Sequence, residues 1–175
     1  MIRRSLLSMV AVFALTCMSS QAAMMEEGTK ELALTGSVDF DTAFDTEARL
    51  GVGLGYFVAD GLQLGPIIDV FYNDLVTIVR LGAFAEYNFV NADLPIVPFV
   101  GAGALWGYGD LEDGGDDNTV IGSFRAGGKY FVDENWAIAL TGVFDVAADD
   151  IYAEDDEDDL QDTDWRIELG IRTYF

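Results

Sequence analysis

The feature that most constrains this chain is a strict alternation of side-chain character along its last eleven residues. Trp165, Ile167, Leu169 and Ile171 are large and apolar, whereas the residues between them are charged or glycine. Because successive side chains of a β-strand point to opposite faces, this segment is predicted to be a strand with one apolar and one polar face. The rest of the sequence decides whether the apolar face packs into a core or meets lipid.

The same period of two recurs in seven earlier segments, which turn residues separate. Each segment is about as long as a tilted strand that crosses a bilayer, roughly 9 to 11 residues. No segment shows helical spacing of comparable strength. The eight predicted strands lie near residues 31–40, 47–57, 62–72, 76–89, 97–108, 119–131, 136–146 and 164–175. The sequence therefore predicts an all-β fold, an eight-stranded antiparallel up-and-down barrel.

The face opposite the large apolar side chains indicates which side meets lipid. That face holds mostly glycine, alanine and serine, as at Gly51, Gly53 and Gly55. An eight-stranded barrel has an interior just wide enough for side chains to fill, so small residues suit its inside. The outer face of a soluble barrel would carry many lysines, and this chain has only Lys30 and Lys129. Aromatic residues also gather at both ends of the predicted strands, as at the two interfaces of a bilayer. The predicted barrel is therefore transmembrane.

The beginning of the sequence predicts export. Arg3 and Arg4 precede an apolar run, and the polar and small residues that follow fit a signal-peptidase site. Residues 1–22 are therefore predicted to be a signal peptide that is removed, which leaves residues 23–175 as the barrel domain. Cys17 would leave with the signal peptide. Lipidation of Cys17 is the less favoured alternative, because Thr16 stands where a small residue is expected.

The predicted connections alternate between two kinds. The links after the second, fourth and sixth strands are short, whereas the other four contain 17 acidic residues and no Lys, Arg or His. Short periplasmic turns and longer extracellular loops are typical of outer-membrane barrels. The most acidic loops are predicted at residues 109–118 and 147–163. Hydrated surface loops are the favoured interpretation, and binding of a divalent cation such as Ca²⁺ is the alternative.

All five arginines of the predicted mature chain fall on the non-apolar face. They are Arg49, Arg80, Arg125, Arg166 and Arg172. Hairpins folded about loops centred near residues 44, 74 and 155 bring three acids opposite arginines. The predicted pairs are Asp39 with Arg49, Asp69 with Arg80, and Asp145 with Arg166.

Further charges are predicted to join these pairs. Glu86, Glu168 and Arg172 should extend the network, and Arg125 should use an acid from a neighbouring strand. Buried ions are tolerated when they are paired, so the sequence predicts an ion-pair network that plugs the lumen. The alternative is that these charges line an ion path or bind a ligand.

The alternating strands, the stretch Pro98-Phe99-Val100-Gly101-Ala102-Gly103-Ala104 and the terminal Phe175 resemble the small OmpA-like and OmpX-like outer-membrane β-barrel proteins. The resemblance covers essentially the whole predicted mature chain. It implies a monomeric integral protein of the cell outer membrane, surrounded by lipid and lipopolysaccharide. It also implies that Phe175 is recognised by the barrel-insertion machinery, although Thr173 stands where a second aromatic is more usual.

The composition limits the possible functions. The chain has no histidine, and its one cysteine lies in the predicted signal peptide, so the usual nucleophile–base pairs are missing. No catalytic residue, cofactor or dedicated metal site is predicted, and the net charge of −22 disfavours nucleic acid as a partner. The predicted function is therefore a non-catalytic barrel with a plugged polar lumen and acidic extracellular loops, in a structural or surface-interaction role. A narrow passive pore and an adhesion or cation-binding surface protein are the alternatives.

Overall fold

Strands form where the alternation of the sequence predicts them. The computed structural model describes residues 25–39, 47–72, 76–91, 95–111, 116–148, 152–153 and 160–175. Eight long strands are β1 (Lys30–Asp39), β2 (Glu47–Ala59), β3 (Leu62–Tyr72), β4 (Val76–Asn88), β5 (Ile96–Leu111), β6 (Asp116–Asp133), β7 (Trp136–Ala147) and β10 (Thr163–Tyr174). Two short strands, β8 (Tyr152–Ala153) and β9 (Leu160–Gln161), lie between β7 and β10.

The eight long strands close into one antiparallel barrel in the order β1-β10-β7-β6-β5-β4-β3-β2. Each strand pairs with its neighbour in sequence, and β10 closes the ring against β1, with Leu34 opposite Ile171. A closed barrel leaves no unpaired strand edge, which is the condition for strands to lie in lipid. The predicted fold class is confirmed. Among the described residues, no helix is long and apolar enough to cross a membrane.

Two predicted loops differ from the structure in their extent. The β5–β6 ladder continues to the pair Asp110 and Asp116, so the loop predicted at 109–118 is shorter than expected. Within the region predicted as the 147–163 loop, β8 and β9 form a ribbon in which Tyr152 lies opposite Gln161. Backbone hydrogen bonds continue past the end of the apolar alternation, and for this reason the sequence pattern underestimates these strands. Residues 1–22, 41–46 and 73–75, which include the predicted signal peptide and two predicted loops, lie outside the described residues.

The distribution of side chains is inverted relative to a water-soluble protein. Outward-facing Leu169 and Leu81 are 61% and 60% exposed, whereas inward-facing Arg80 and Lys129 are 2% and 0% exposed. Among the described residues, two apolar clusters lie inside the barrel. One lies at the end where β2–β3 and β6–β7 connect, here called the short-turn end. The other lies nearer the opposite end, here called the loop end.

Small residues allow the strands to curve into so narrow a barrel. At Gly65 an added Cβ would collide with the backbone carbonyl oxygen of Leu54, and at Gly82 with that of Ala104. Both glycines therefore sit where two strands approach too closely for any side chain.

Candidate functional site in the barrel lumen

The charged side chains of the lumen, together with Gln63, form two groups at different heights. The upper ionic layer, toward the loop end, consists of Arg49, Asp69, Arg80, Arg125, Asp145, Asp164, Arg166 and Glu168. The lower ionic layer, toward the short-turn end, consists of Glu31, Gln63, Glu86, Lys129 and Arg172. All occupy inward positions of their strands, because their sequence positions differ by an odd number from those of the outward-facing apolar residues on the same strand.

Asp145 is the centre of the upper ionic layer. Its Oδ2 accepts hydrogen bonds from Arg80 Nη1 at 3.0 Å and from Arg166 Nη1 at 2.7 Å. Arg80 also donates from Nε to Asp69 Oδ1 at 2.5 Å. Arg80 belongs to β4 and Asp145 to β7, which are separated by two strands, so this ion pair spans the lumen. The upper layer therefore ties together strands that do not pair with each other.

The same layer continues toward the loop end through Asp164. Its Oδ2 accepts from Arg166 Nη1 and from Arg49 Nη1, both at 2.8 Å. Arg166 Nε donates to Glu168 Oε1 at 2.8 Å. The Arg49 guanidinium also lies 4.5 Å from the centre of the Phe71 ring, within cation–π range.

Lys129 is the centre of the lower ionic layer. Its Nζ donates to Glu31 Oε2 at 2.5 Å and to Glu86 Oε1 at 2.6 Å. Glu86 Oε1 also accepts from Gln63 Nε2 at 2.7 Å, and Glu31 Oε1 accepts from Arg172 Nη1 at 3.2 Å. Glu31 and Lys129 lie on strands that do not pair, so this layer also joins opposite walls of the barrel.

The structure corrects two of the three predicted oppositions. Asp69 lies directly opposite Arg80, as predicted. Arg49 lies opposite Ser37, and Asp39 opposite Glu47, so the predicted opposition of Asp39 and Arg49 is wrong. The side chain of Asp39 lies outside the described residues. A shift of one residue in the centre of a hairpin moves every partner by two positions, which accounts for this error.

The third hairpin shows the same shift with a different result. Asp145 lies opposite Asp164, and Arg166 lies opposite Val143, so the predicted opposition of Asp145 and Arg166 is also wrong. The two side chains nevertheless meet diagonally, because a long arginine side chain reaches a neighbour two positions away on the next strand.

Arg125 differs from the prediction that it uses an acid of a neighbouring strand. Among the described residues it forms no ion pair, and its Nε lies 3.5 Å from Ser123 Oγ, a long and weak contact. Arg125 borders a cavity of about 10 Å³ together with Arg49, Arg80, Asp69 and Glu168. That volume is about the minimum for one water molecule. The cavity therefore has room for about one water molecule beside this guanidinium.

Four members of the two ionic layers were not among the predicted lumen residues. They are Glu31, Gln63, Lys129 and Asp164. Residues an even number of positions apart on a strand lie on the same face. Lys129 therefore shares the inward face of β6 with Ser123, and Asp164 shares that of β10 with Arg166, so the alternation alone could have placed both inside. Asp164 is the first residue of the eighth predicted strand, and it directly follows the acidic loop predicted at 147–163, so its charge is easily grouped with that loop.

The charges of the described lumen balance. Six basic side chains (Arg49, Arg80, Arg125, Lys129, Arg166, Arg172) accompany six acidic ones (Glu31, Asp69, Glu86, Asp145, Asp164, Glu168). The net charge of −22 therefore resides outside this set of residues. Among the described residues, no group of three or more His, Cys, Asp or Glu side chains is placed to hold a metal ion.

Comparison with solved structures finds the same fold. The N-terminal β-barrel domain of Pseudomonas aeruginosa OprF has a TM-score of 0.64 and 18% identity, and the match covers 85% of this chain and 98% of that domain. Neisserial surface protein A has a TM-score of 0.62 and 16% identity, with 85% and 98% covered. The outer membrane protein OprG of Pseudomonas aeruginosa has a TM-score of 0.54 and 14% identity, with 86% and 97% covered. The sequence itself matches no protein-family model and no curated protein.

These similarities define the class of fold. The chain is an eight-stranded antiparallel β-barrel of the kind found in small integral outer-membrane proteins, as the resemblance of its sequence implied. The barrel matches almost the full length of each of these structures.

Proposed function

We propose that this chain is a non-catalytic integral outer-membrane protein with an ion-paired, plugged lumen, in a structural or surface-interaction role. The inverted burial of its side chains carries the proposal. Leucine, isoleucine and aromatic side chains cover the outside, whereas Lys129 and Arg80 are enclosed. Such an exterior exceeds by far the apolar patches that soluble monomers expose, and lipid is the solvent that suits it.

The aromatic side chains support the orientation in the membrane. Tyr56, Tyr87, Tyr130 and Trp136 are exposed near the short-turn end, and Tyr72, Tyr108 and Trp165 near the loop end. Two such girdles mark the interfaces of a bilayer. The short-turn end would then face the periplasm and the loop end the exterior.

Membrane fractionation combined with gel mobility tests the location and the fold together. The protein should sediment with outer membranes, and it should migrate differently on a denaturing gel before and after boiling. A soluble protein without a mobility shift would refute the proposal.

Ion pairs that cross the lumen at two heights support the proposed plug. Arg80 with Asp145, and Lys129 with Glu31, occupy the space through which ions would pass. The competing function is a narrow passive pore. Purified protein in planar bilayers should give no large, stable open events, and sustained conductance would favour the pore instead.

Loop charge and partners form the remaining part of the proposal. Since the described lumen is neutral, the negative charge belongs to the rims and loops, where hydration keeps it solvated. Lipopolysaccharide is the expected neighbour in the membrane. The alternative to simply hydrated loops is that divalent cations bridge the acidic loops to this lipopolysaccharide. Calorimetric titration with Ca²⁺ distinguishes hydrated loops from cation-binding loops, because hydrated loops should show no saturable binding near millimolar concentration.

Insertion is proposed to depend on Phe175, whose side chain is exposed at the end of the closing strand. Phe175→Ser should lower the amount of barrel inserted in cells. It should leave the mobility shift of purified, refolded protein unchanged, because the side chain contributes little to the interior. Equal insertion of variant and wild type would contradict this role.

A further inference from the structure

The residues that precede β1 close one mouth of the barrel. Residues 25–29, here called the N-terminal strap, lie against the short-turn end. Met25 is 1% exposed and belongs to an apolar cluster at this mouth. The other members are Phe57, Val97, Phe131, Ala137 and Tyr174, which come from β2, β5, β6, β7 and β10. Among the described members of this cluster, Met25 alone does not belong to a strand of the barrel.

Backbone hydrogen bonds attach the strap to the rim. Gly61 N donates to Met25 O at 2.8 Å, and Gly28 N donates to Phe57 O at 2.9 Å. Phe57 N donates to Thr29 O at 2.9 Å. Gly28 has a φ of 95°, a conformation that suits glycine and strains other residues. The strap therefore has a defined path that depends on this glycine.

The cluster that Met25 completes lies directly below the lower ionic layer. Lys129 Nζ is 5.8 Å from the centre of the Tyr174 ring, and Lys129 and Glu31 are fully buried. An apolar layer thus separates these ions from the water at the short-turn end. A few hydrogen bonds hold the strap, whereas continuous ladders hold every strand, so the strap should open at a lower free energy than the barrel.

We propose that the N-terminal strap is a detachable seal of the lumen. With Met25 in place, the short-turn end is closed to water and small ions. Release of the strap exposes the apolar cluster and then the lower ionic layer, while the strands stay paired. This inference rests on the proposed plugged lumen, and it assigns the closure of one end to a segment outside the strands.

Thiol labelling at Val97, which is 0% exposed, tests the seal. The chain has one cysteine, so Val97→Cys in a Cys17→Ser background provides a single thiol. A small charged thiosulfonate is applied to the folded barrel in lipid vesicles, and the modification rate is measured by mass spectrometry. Val97→Cys should react slowly. Adding Met25→Gly should raise the rate at least about tenfold, the factor that corresponds to about 1.4 kcal/mol.

Met25→Leu is the matched control, because leucine keeps an apolar side chain of similar size, and its rate should stay near that of Val97→Cys alone. Gly28→Val is a second test, since an added Cβ meets no atom within 4 Å there but the positive φ strains the strap. It should raise the rate as Met25→Gly does, and it decides the question if Met25→Gly does not fold.

Fast labelling of Val97→Cys with the intact strap would overturn the inference. Equal rates for the glycine and leucine variants at position 25, with Gly28→Val also unchanged, would overturn it as well. The heat-induced mobility shift is recorded for every variant. Its absence in the parent protein would refute the membrane barrel itself, whereas unchanged labelling with the shift retained would refute the seal alone.

Discussion

Replacing Lys129 with methionine removes the centre of the lower ionic layer while keeping a side chain of similar length. Lys129 Nζ donates to Glu31 at 2.5 Å and to Glu86 at 2.6 Å, and the side chains are almost entirely enclosed. In the variant, two carboxylates would share the single charge of Arg172. Loss of one partner of a buried ion pair costs about 3 to 5 kcal/mol.

The expected loss stays within that range because both acids keep a second partner. Glu86 retains the hydrogen bond from Gln63, and Glu31 retains the bond from Arg172. We therefore expect Lys129→Met to lower the free energy of unfolding by about 3 to 5 kcal/mol. Adding Glu86→Gln should restore part of the loss, since it removes one of the two carboxylates that the first substitution leaves in excess.

Lys30→Met is the matched control. Lys30 is exposed at the rim, with its Nζ 6.0 Å from the centre of the Phe175 ring, so its replacement should change stability by less than about 0.5 kcal/mol. Urea unfolding of refolded protein in vesicles, followed by tryptophan fluorescence and by gel mobility, measures both variants. If Lys129→Met lost no more stability than Lys30→Met, the ion pairs would not hold the barrel together and the reasoning would fail.

Three further substitutions probe the upper ionic layer and the outer surface by the same unfolding assay. Asp145→Asn should cost about 3 to 5 kcal/mol, because Arg80 and Arg166 lose their shared carboxylate. Asp133→Asn at the exposed end of β6 is the control, and similar losses of stability for the two variants would show that Asp145 is not a structural centre. Arg125→Met should lower the free energy of unfolding by less than about 1 kcal/mol, since no described acid forms an ion pair with Arg125. A loss as large as that of Asp145→Asn would contradict this and would indicate that Arg125 is paired. Leu169→Arg should cost about 2 to 4 kcal/mol in a lipid-embedded barrel but almost nothing in a water-soluble one, and a neutral outcome in vesicles would argue against a lipid-facing position.

Much of the lumen could be predicted from local sequence. Asp69 and Arg80 flank a short connection, which leaves little choice of where the hairpin is centred. Their opposition was therefore predicted correctly. Lys129 and Glu31 could have been placed inside from parity alone. Asp39 and Arg49 flank a longer loop, and there the centre of the hairpin, hence the register, could not be read from composition.

The sequence by itself determined the strands, their two faces and the pairing of strands that follow one another in the chain. It could do so because the period-two alternation and the turn residues are features of short stretches of sequence. Only the tertiary structure decided which charges meet across the lumen. Arg80 reaches Asp145, and Lys129 reaches Glu31, from strands that never pair. Those contacts depend on the diameter of the closed barrel and on the stagger of its strands, which arise when all eight strands close into one ring. The closure of β1 on β10 and the position of Met25 in the mouth below are likewise properties of the ring.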